Sequence, residues 1–316
     1  MDFEKSLNLR TIKYVITLAE EGSFTKAANR LYITQPSLSQ AIKRVEAENG
    51  IQLFYRGQER LLPTEEGKMF IATGKRVLKL MRDLENDLLD RSSANKGRLV
   101  VGTGYMLGSI FVFKQVAKFR EKYPEIDLRL IEAPASELET MVIDGSVDLC
   151  VVFEPIREKS LQTIKICSGK MVLIMSKENP LNQYTFRYKE DPVHTYFDLR
   201  KAKNASFVCP TEGNRLDLLS NIIFKKAGFI PYVSLRIRNI VTAIRLVKNS
   251  NDLVLLPEIF PGAPLCSRED EEGIRCYYLN KACDHPWTLA VATSNYYGPT
   301  STIAQKFIEL LKEDSF

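Results

Sequence analysis

The run Gln35-Pro36-Ser37-Leu38-Ser39-Gln40 carries two amides and two hydroxyls, with Lys43 and Arg44 one turn further on. Amides and hydroxyls hydrogen-bond base edges or phosphates, and cations a turn away pair with phosphates. Pro36 suits the first turn of a helix, where its missing N–H costs nothing. Thr34 stands where an N-cap belongs. The group predicts a helix that offers its N-terminal end to the major groove of double-stranded DNA. Plainer readings stand beside this one. Thr34 is a cap before it is a base reader, Ser37 is an ordinary first-turn residue, and Arg44 is a solvated charge.

Catalytic chemistry has less to work with. No G-x-G-x-x-G follows a strand, and neither G-x-x-x-x-G-K-[ST] nor G-x-S-x-G occurs; Gly102-Thr103-Gly104 is only a fragment. His194 and His285 are the two histidines, and no Cys/His spacing resembles a zinc site. The reading is therefore no enzyme, no cofactor and no metal. Six cysteines, at 150, 167, 209, 266, 276 and 283, form no C-x-x-C pair, so reduced thiols are expected.

The chain has 316 residues, which suggests about two domains. Hydrophobic residues make up 45% and charged residues 26%, which excludes wholesale disorder and collagen-like or coiled-coil-only chains. The longest apolar runs, such as Met171 to Met175, are far too short to span a membrane. No apolar secretory core follows Met1, so a cytoplasmic protein is expected. The net charge of +5 does not by itself indicate nucleic acid. Residues 1–66 hold nine Lys/Arg against nine Asp/Glu, and residues 67–96 hold seven against four. A positive face must therefore come from position.

The elements that hold the polar run are legible. Leu9, Ile12, Val15, Ile16 and Ala19 mark one helical face, stopped by Gly22. Ser23 caps Phe24 to Leu31, and Thr34 caps a helix that ends at Gly50. Ile51–Phe54 and Arg60–Pro63 predict a β-wing joined through Arg56-Gly57-Gln58. Thr64 caps a long helix in which Phe70, Gly74, Val77, Met81, Leu84 and Leu88 alternate four and three apart. That is the seam of a dimerising helix, or alternatively a core stripe. Polar Ser92 to Gly97 forms a hinge. Beyond it strands alternate with helices, from Arg98–Gly102 to the closing strand Thr288–Thr293 and helix Ser301–Lys312. This predicts parallel sheets with helices on both faces.

Gly22-Ser23-Phe24-Thr25-Lys26-Ala27-Ala28, then Leu31, Thr34 to Ser39, Ile42, Val45-Glu46, Gly50, Leu53-Phe54, Arg56, Thr64 and Gly67, closely resemble the LysR-type transcriptional regulators without a gap. Gly97 to Gly102, Tyr123 to Leu128, Gly145 to Leu149 and Leu255-Leu256-Pro257 fit that family's effector region in order. There are departures: Pro63 where Leu is frequent, Ser250 and Asp252 where glycines are usual, and Ala133-Pro134-Ala135-Ser136 with its hydroxyl moved later.

The resemblance implies an α/β fold class with an N-terminal all-α winged helix-turn-helix over 1–66 and a linker helix and hinge over 67–96. An effector region over 97–316 would resemble periplasmic binding proteins. Its subdomain I would take about 97–168 and 270–316, and subdomain II about 169–269. DNA contacts would come from Ser23, Thr25, Lys26, Thr34, Gln35, Pro36, Ser37, Ser39, Gln40, Lys43, Arg44 and Arg56. A small-molecule effector would meet Thr103, Gly104, Tyr105, Ala135, Ser136, Thr211, Gly213 and Asn214 beyond strand ends and near helix N-termini. Ser136 has a competing role, since Ser136-x-x-Glu139 is a capping box. Partners would be a second copy in a homodimer or homotetramer, and RNA polymerase for an activator. Only the linker helix and hinge would join head to cleft, so the effector would act on the spacing of the heads more than on their affinity. A metabolic enzyme and an exported binding protein are the rival readings; discrete, salt-sensitive promoter binding separates them from a regulator.

Overall fold

A computed structural model of the chain describes residues 8–55, 61–91, 96–259, 272–294, 296 and 300–313. Arg56, Cys266 and most of the hinge lie outside the described residues.

The chain opens with helices α1 (Leu9–Glu21), α2 (Phe24–Arg30) and α3 (Gln35–Asn49). Asn8 accepts from the Thr11 N–H at 2.9 Å and starts α1. Gly22 and Gly50 end α1 and α3 in the left-handed region at φ 60° and 64°, where glycine carries no Cβ penalty. Val15, Leu18, Ala27, Ala28, Leu38, Ile42 and Val45 close one small core. The two alanines let α2 lie close against its neighbours. Arg30 reaches Glu20 at 2.8 Å and Glu21 at 2.9 Å, which ties α2 to α1. Among the described residues, the expected wing strands show one antiparallel bridge between Phe54 and Pro63, closed by the Tyr55 N–H donating to the Leu62 carbonyl at 2.9 Å and the Thr64 N–H to the Leu53 carbonyl at 3.0 Å. Arg60 and the Arg56-Gly57-Gln58 connection lie outside the described residues.

Helix α4 (Glu65–Arg91) starts at Thr64, whose hydroxyl accepts from the Gly67 N–H at 2.9 Å. A Cβ at Gly67 would sit 2.0 Å from the Leu53 carbonyl oxygen. Gly67→Ala should therefore destabilise the head by at least about 1–3 kcal/mol. Denaturant unfolding at wild-type stability would refute this.

The first half of α4 belongs to the head: Phe70 and Ile71 pack on its core, and Gly74 faces Ile12. The second half docks on the effector region. Lys75 pairs with Asp144 at 2.8 Å, and Lys79 and Arg82 each lie 3.1 Å from Asp148. The Asn86 side chain donates to the Arg98 carbonyl at 2.9 Å and accepts from the Arg98 N–H at 3.0 Å. The linker helix is therefore tied to the effector region by side chains as well as through the hinge.

The effector region holds two five-stranded sheets. The first has order β2-β1-β3-β12-β4, from β1 (Gly97–Thr103), β2 (Ile126–Glu132), β3 (Leu149–Phe153), β4 (Leu161–Gly169) and β12 (Trp287–Ser294). The second has order β10-β5-β11-β7-β6, from β5 (Met171–Ser176), β6 (Thr185–Tyr188), β7 (Asp191–Phe197), β10 (Val254–Pro257) and β11 (Ile274–Leu279). β8 (Ser206–Pro210) and β9 (Tyr232–Ile237) pair in parallel beside it. Helices α5 (Phe113–Lys122), α6 (Ala135–Ile143), α7 (Arg215–Ala227), α8 (Ile240–Lys248) and α9 (Thr302–Glu313) complete the fold.

Two expectations change. The sheets are mixed, not parallel, because β12 runs antiparallel to β3 and β4, and β5 antiparallel to β10 and β11. The return to the first subdomain comes after β11, not at about 270, because β11 pairs with β5 and β7 of the second sheet. The crossovers are Gly169-Lys170 and the segment between Leu279 and Trp287. Trp287 is buried there and donates to the Lys170 carbonyl at 2.9 Å.

Candidate nucleic-acid interface and effector cleft

The N-terminal end of α3 is polar and open. Thr34, Gln35, Pro36, Ser37, Gln40, Lys43 and Arg44 are exposed and Ser39 is half-buried, while Leu38, Ile42 and Val45 turn into the core. The Thr34 hydroxyl accepts from the Ser37 N–H at 3.4 Å and lies 2.8 Å from the Ser37 hydroxyl, so the cap and the first turn share one bond network. Thr25 and Lys26 are exposed on α2. Ser23 precedes α2 in extended backbone but makes no side-chain cap bond. The buried Glu46 carboxylate accepts from the Leu53 N–H at 2.9 Å and fixes α3 against the chain that follows it. One residue escaped the sequence reading. Tyr32, in the turn between α2 and α3, has φ 55° and is 95% exposed beside the polar run. Its location in the two-residue break was the available signal.

A cleft of about 420 Å³ opens between the first five-stranded sheet and the β8–β9 pair. It lies beyond the carboxyl ends of β1, β2, β3, β8 and β9, where ligands collect in α/β folds. Gly104, Tyr105, Ala135, Ser136, Thr211, Gly213 and Asn214 all line it. Thr103 does not: it is wholly buried at the end of β1. Asn214 caps α7 by accepting from the Leu216 N–H at 3.0 Å. Ser136 makes no cap, because α6 begins at Ala135 with Pro134 at the cap position, and Glu139 is engaged elsewhere. The capping-box reading of Ser136 falls with that shift.

Sequence reading missed the three cleft arginines, Arg157, Arg215 and Arg238. Isolated loop arginines carry no pattern. Arg215 did carry a signal, since a cation at the start of a helix opposes the helix dipole and needs a partner. That partner is Glu139 of α6, across the cleft, and both side chains are buried. Glu139 also accepts from the backbone N–H groups of Arg157 at 3.0 Å and Glu158 at 3.1 Å.

Cys150, Cys167, Cys209 and Cys283 form no disulfide among the described residues. Burial pushes the Cys150 thiol up to about 12 and the Cys209 thiol up to about 11, which disfavours the reactive thiolate.

Two family models match the chain: the bacterial regulatory helix-turn-helix protein of the lysR family over residues 9–68, and the LysR substrate binding domain over residues 92–314. The chain belongs to the LysR family. Similar proteins include the uncharacterized HTH-type transcriptional regulator YcgK of Bacillus subtilis, 26% identical over 97% of this chain and 94% of that one. HTH-type transcriptional regulator CfxR of Cupriavidus necator is 27% identical over 72% of this chain and 69% of its own length. Full-length OxyR from Pseudomonas aeruginosa shares the fold, with a TM-score of 0.73 at 19% identity, covering 97% of this chain and 94% of that one. Full-length CbnR in complex with target DNA gives a TM-score of 0.65 at 16% identity, covering 98% and 100%. This LysR-family chain is a transcriptional regulator with a helix-turn-helix and a substrate-binding domain, not an enzyme.

Proposed function

We propose that the chain binds specific DNA sites through the α2–α3 pair, works as a homodimer or homotetramer, and answers to a small molecule in the cleft. The observation that carries the DNA reading is the split character of α3. Its apolar stripe is used up in the core, which leaves Gln35, Ser37, Gln40, Lys43 and Arg44 exposed at one end. Oligomerisation is supported by the second half of α4, where Met81, Leu84 and Leu88 are 37%, 51% and 60% exposed on the predicted seam. Two heads on one site match two-fold protein symmetry. Arg56 belongs to this proposal as a backbone contact, and RNA polymerase as a partner if the protein activates. The place of action is the cytoplasm, with the DNA; no described helix is long and apolar enough to cross a membrane.

Gel shifts of the full chain on its own promoter region test this. Lys43→Ala and Arg44→Ala should each weaken binding at all sequences and lower the salt slope by about one. Gln35→Ala and Gln40→Ala should relax base preference, each by about 1–3 kcal/mol. An unchanged salt slope and preference in all four would remove α3 as the reading helix.

A further inference from the structure

The cleft has an unbalanced charge. Of its lining residues, Arg157, Arg215 and Arg238 are cationic and Glu212 alone is anionic. Glu212 lies 3.3 Å from Arg236, so it is turned to another cation. Among the described residues, Arg157 and Arg238 have no carboxylate within ion-pair distance. Arg157 comes from subdomain I and Arg238 from subdomain II, so the two cations face the cleft from opposite sides.

Helix ends add to this. The N-termini of α6, α7 and α8 all open on the cleft, through Ala135 and Ser136, Arg215, and Ile240. α6 has Pro134 at its cap position and no side-chain cap, so its first amide N–H groups are left to a ligand. Arg215 is a second, independent observation. Its residue is 4% exposed, and its Nε finds no acceptor, although another guanidinium nitrogen is held by Glu139. A buried donor without an acceptor is costly, and a ligand oxygen would relieve it. Between the charged sides, Met106, Leu107, Val152, Phe153 and Ile237 make apolar walls.

We infer that the cleft takes a small organic dianion with an apolar middle, one acidic group held by the α6 N-terminus and Arg157, the other by Arg238 and Arg215. This rests on the cleft being the effector site. It adds the chemical class of the ligand: two carboxylates separated by a flat or hydrocarbon spacer. A dianion satisfies both sides at once and so favours the arrangement in which the subdomains are close.

Trp287 supplies the readout, because it is the sole tryptophan of the chain and sits at the crossover between the subdomains. Its fluorescence in the full-length protein is titrated with terephthalate, phenyl phosphate, benzoate and benzamide, one ring carrying two, two, one and no charges. Terephthalate should bind about tenfold or more tighter than benzoate, with benzamide weaker still. Phenyl phosphate binding more tightly than terephthalate would put both charges on one side and overturn the two-ended assignment. Arg157→Gln with Arg238→Gln should bring the dianion down to benzoate strength; both side chains are exposed, so folding is spared. Benzamide binding as tightly as the dianions would overturn the charge assignment while leaving the cleft a ligand site. A retained dianion preference in the double variant, or no saturable response to either dianion, overturns it as well. Failure of the promoter gel shifts, by contrast, would bear on the regulator reading and not on this one.

Discussion

A Met81→Glu, Leu84→Glu variant is expected to sediment as a monomer and to lose promoter affinity by roughly a hundred- to ten-thousand-fold. The loss follows from converting two linked heads into independent ones. Val77, Met81, Leu84 and Leu88 lie on one face of α4, where, among the described residues, Val77 is half-buried and Met81, Leu84 and Leu88 are exposed. The other face is occupied, with Lys79 and Asn86 buried against subdomain I. Two carboxylates on the open face would have to be desolvated in any helix pair, whereas in a monomer they stay in water. The fold should therefore survive, and circular dichroism should match wild type. An oligomer of wild-type size with intact affinity would show that the seam does not pair the chains.

Arg215→Ala should cost about 3–5 kcal/mol, the largest single loss of stability expected in the effector region, because it strands the Glu139 carboxylate in the interior. The side chains are 5% and 1% exposed, so little water reaches either partner. Replacing the pair by Glu139→Leu with Arg215→Met should recover much of that loss, since no charge is then left buried and only the Arg157 and Glu158 N–H groups lose their acceptor. Thermal unfolding of the two variants separates the cases. An Arg215→Ala protein as stable as wild type would mean the pair contributes nothing. A double variant no better than the single would mean that packing, not charge, holds the site.

Much of the DNA-proximal half was legible because its signals are local. Gly22, Gly50, Thr34 and Thr64 act within one helical turn, and each cap or stop stands where its residue type places it. The effector half depends on long-range pairing. β4, β6, β7 and β11 went unread, and the mixed sheets follow from which strand returns beside which, a matter no local pattern encodes. Seven of eight expected cleft residues line it because strand ends and helix starts are themselves local features. The arginines were missed because Arg157 and Arg238 become neighbours of the same space only after the chain has crossed from subdomain I into subdomain II.

The strand order of the first sheet sets a timetable. β12 lies between β3 and β4, and β4 has no other neighbour in that sheet. The helical head, closed by residues up to Gly74, can assemble as soon as it leaves the ribosome. Subdomain I cannot, because β12, which sits between β3 and β4, is made only after the whole insert, so β4 must wait unpaired while that insert is synthesised. Native pairing across such a separation is slow to close. A nascent chain of this protein therefore owns a finished helical head well before it owns a finished first sheet, and loss of β12 would leave the head intact while that sheet never closes.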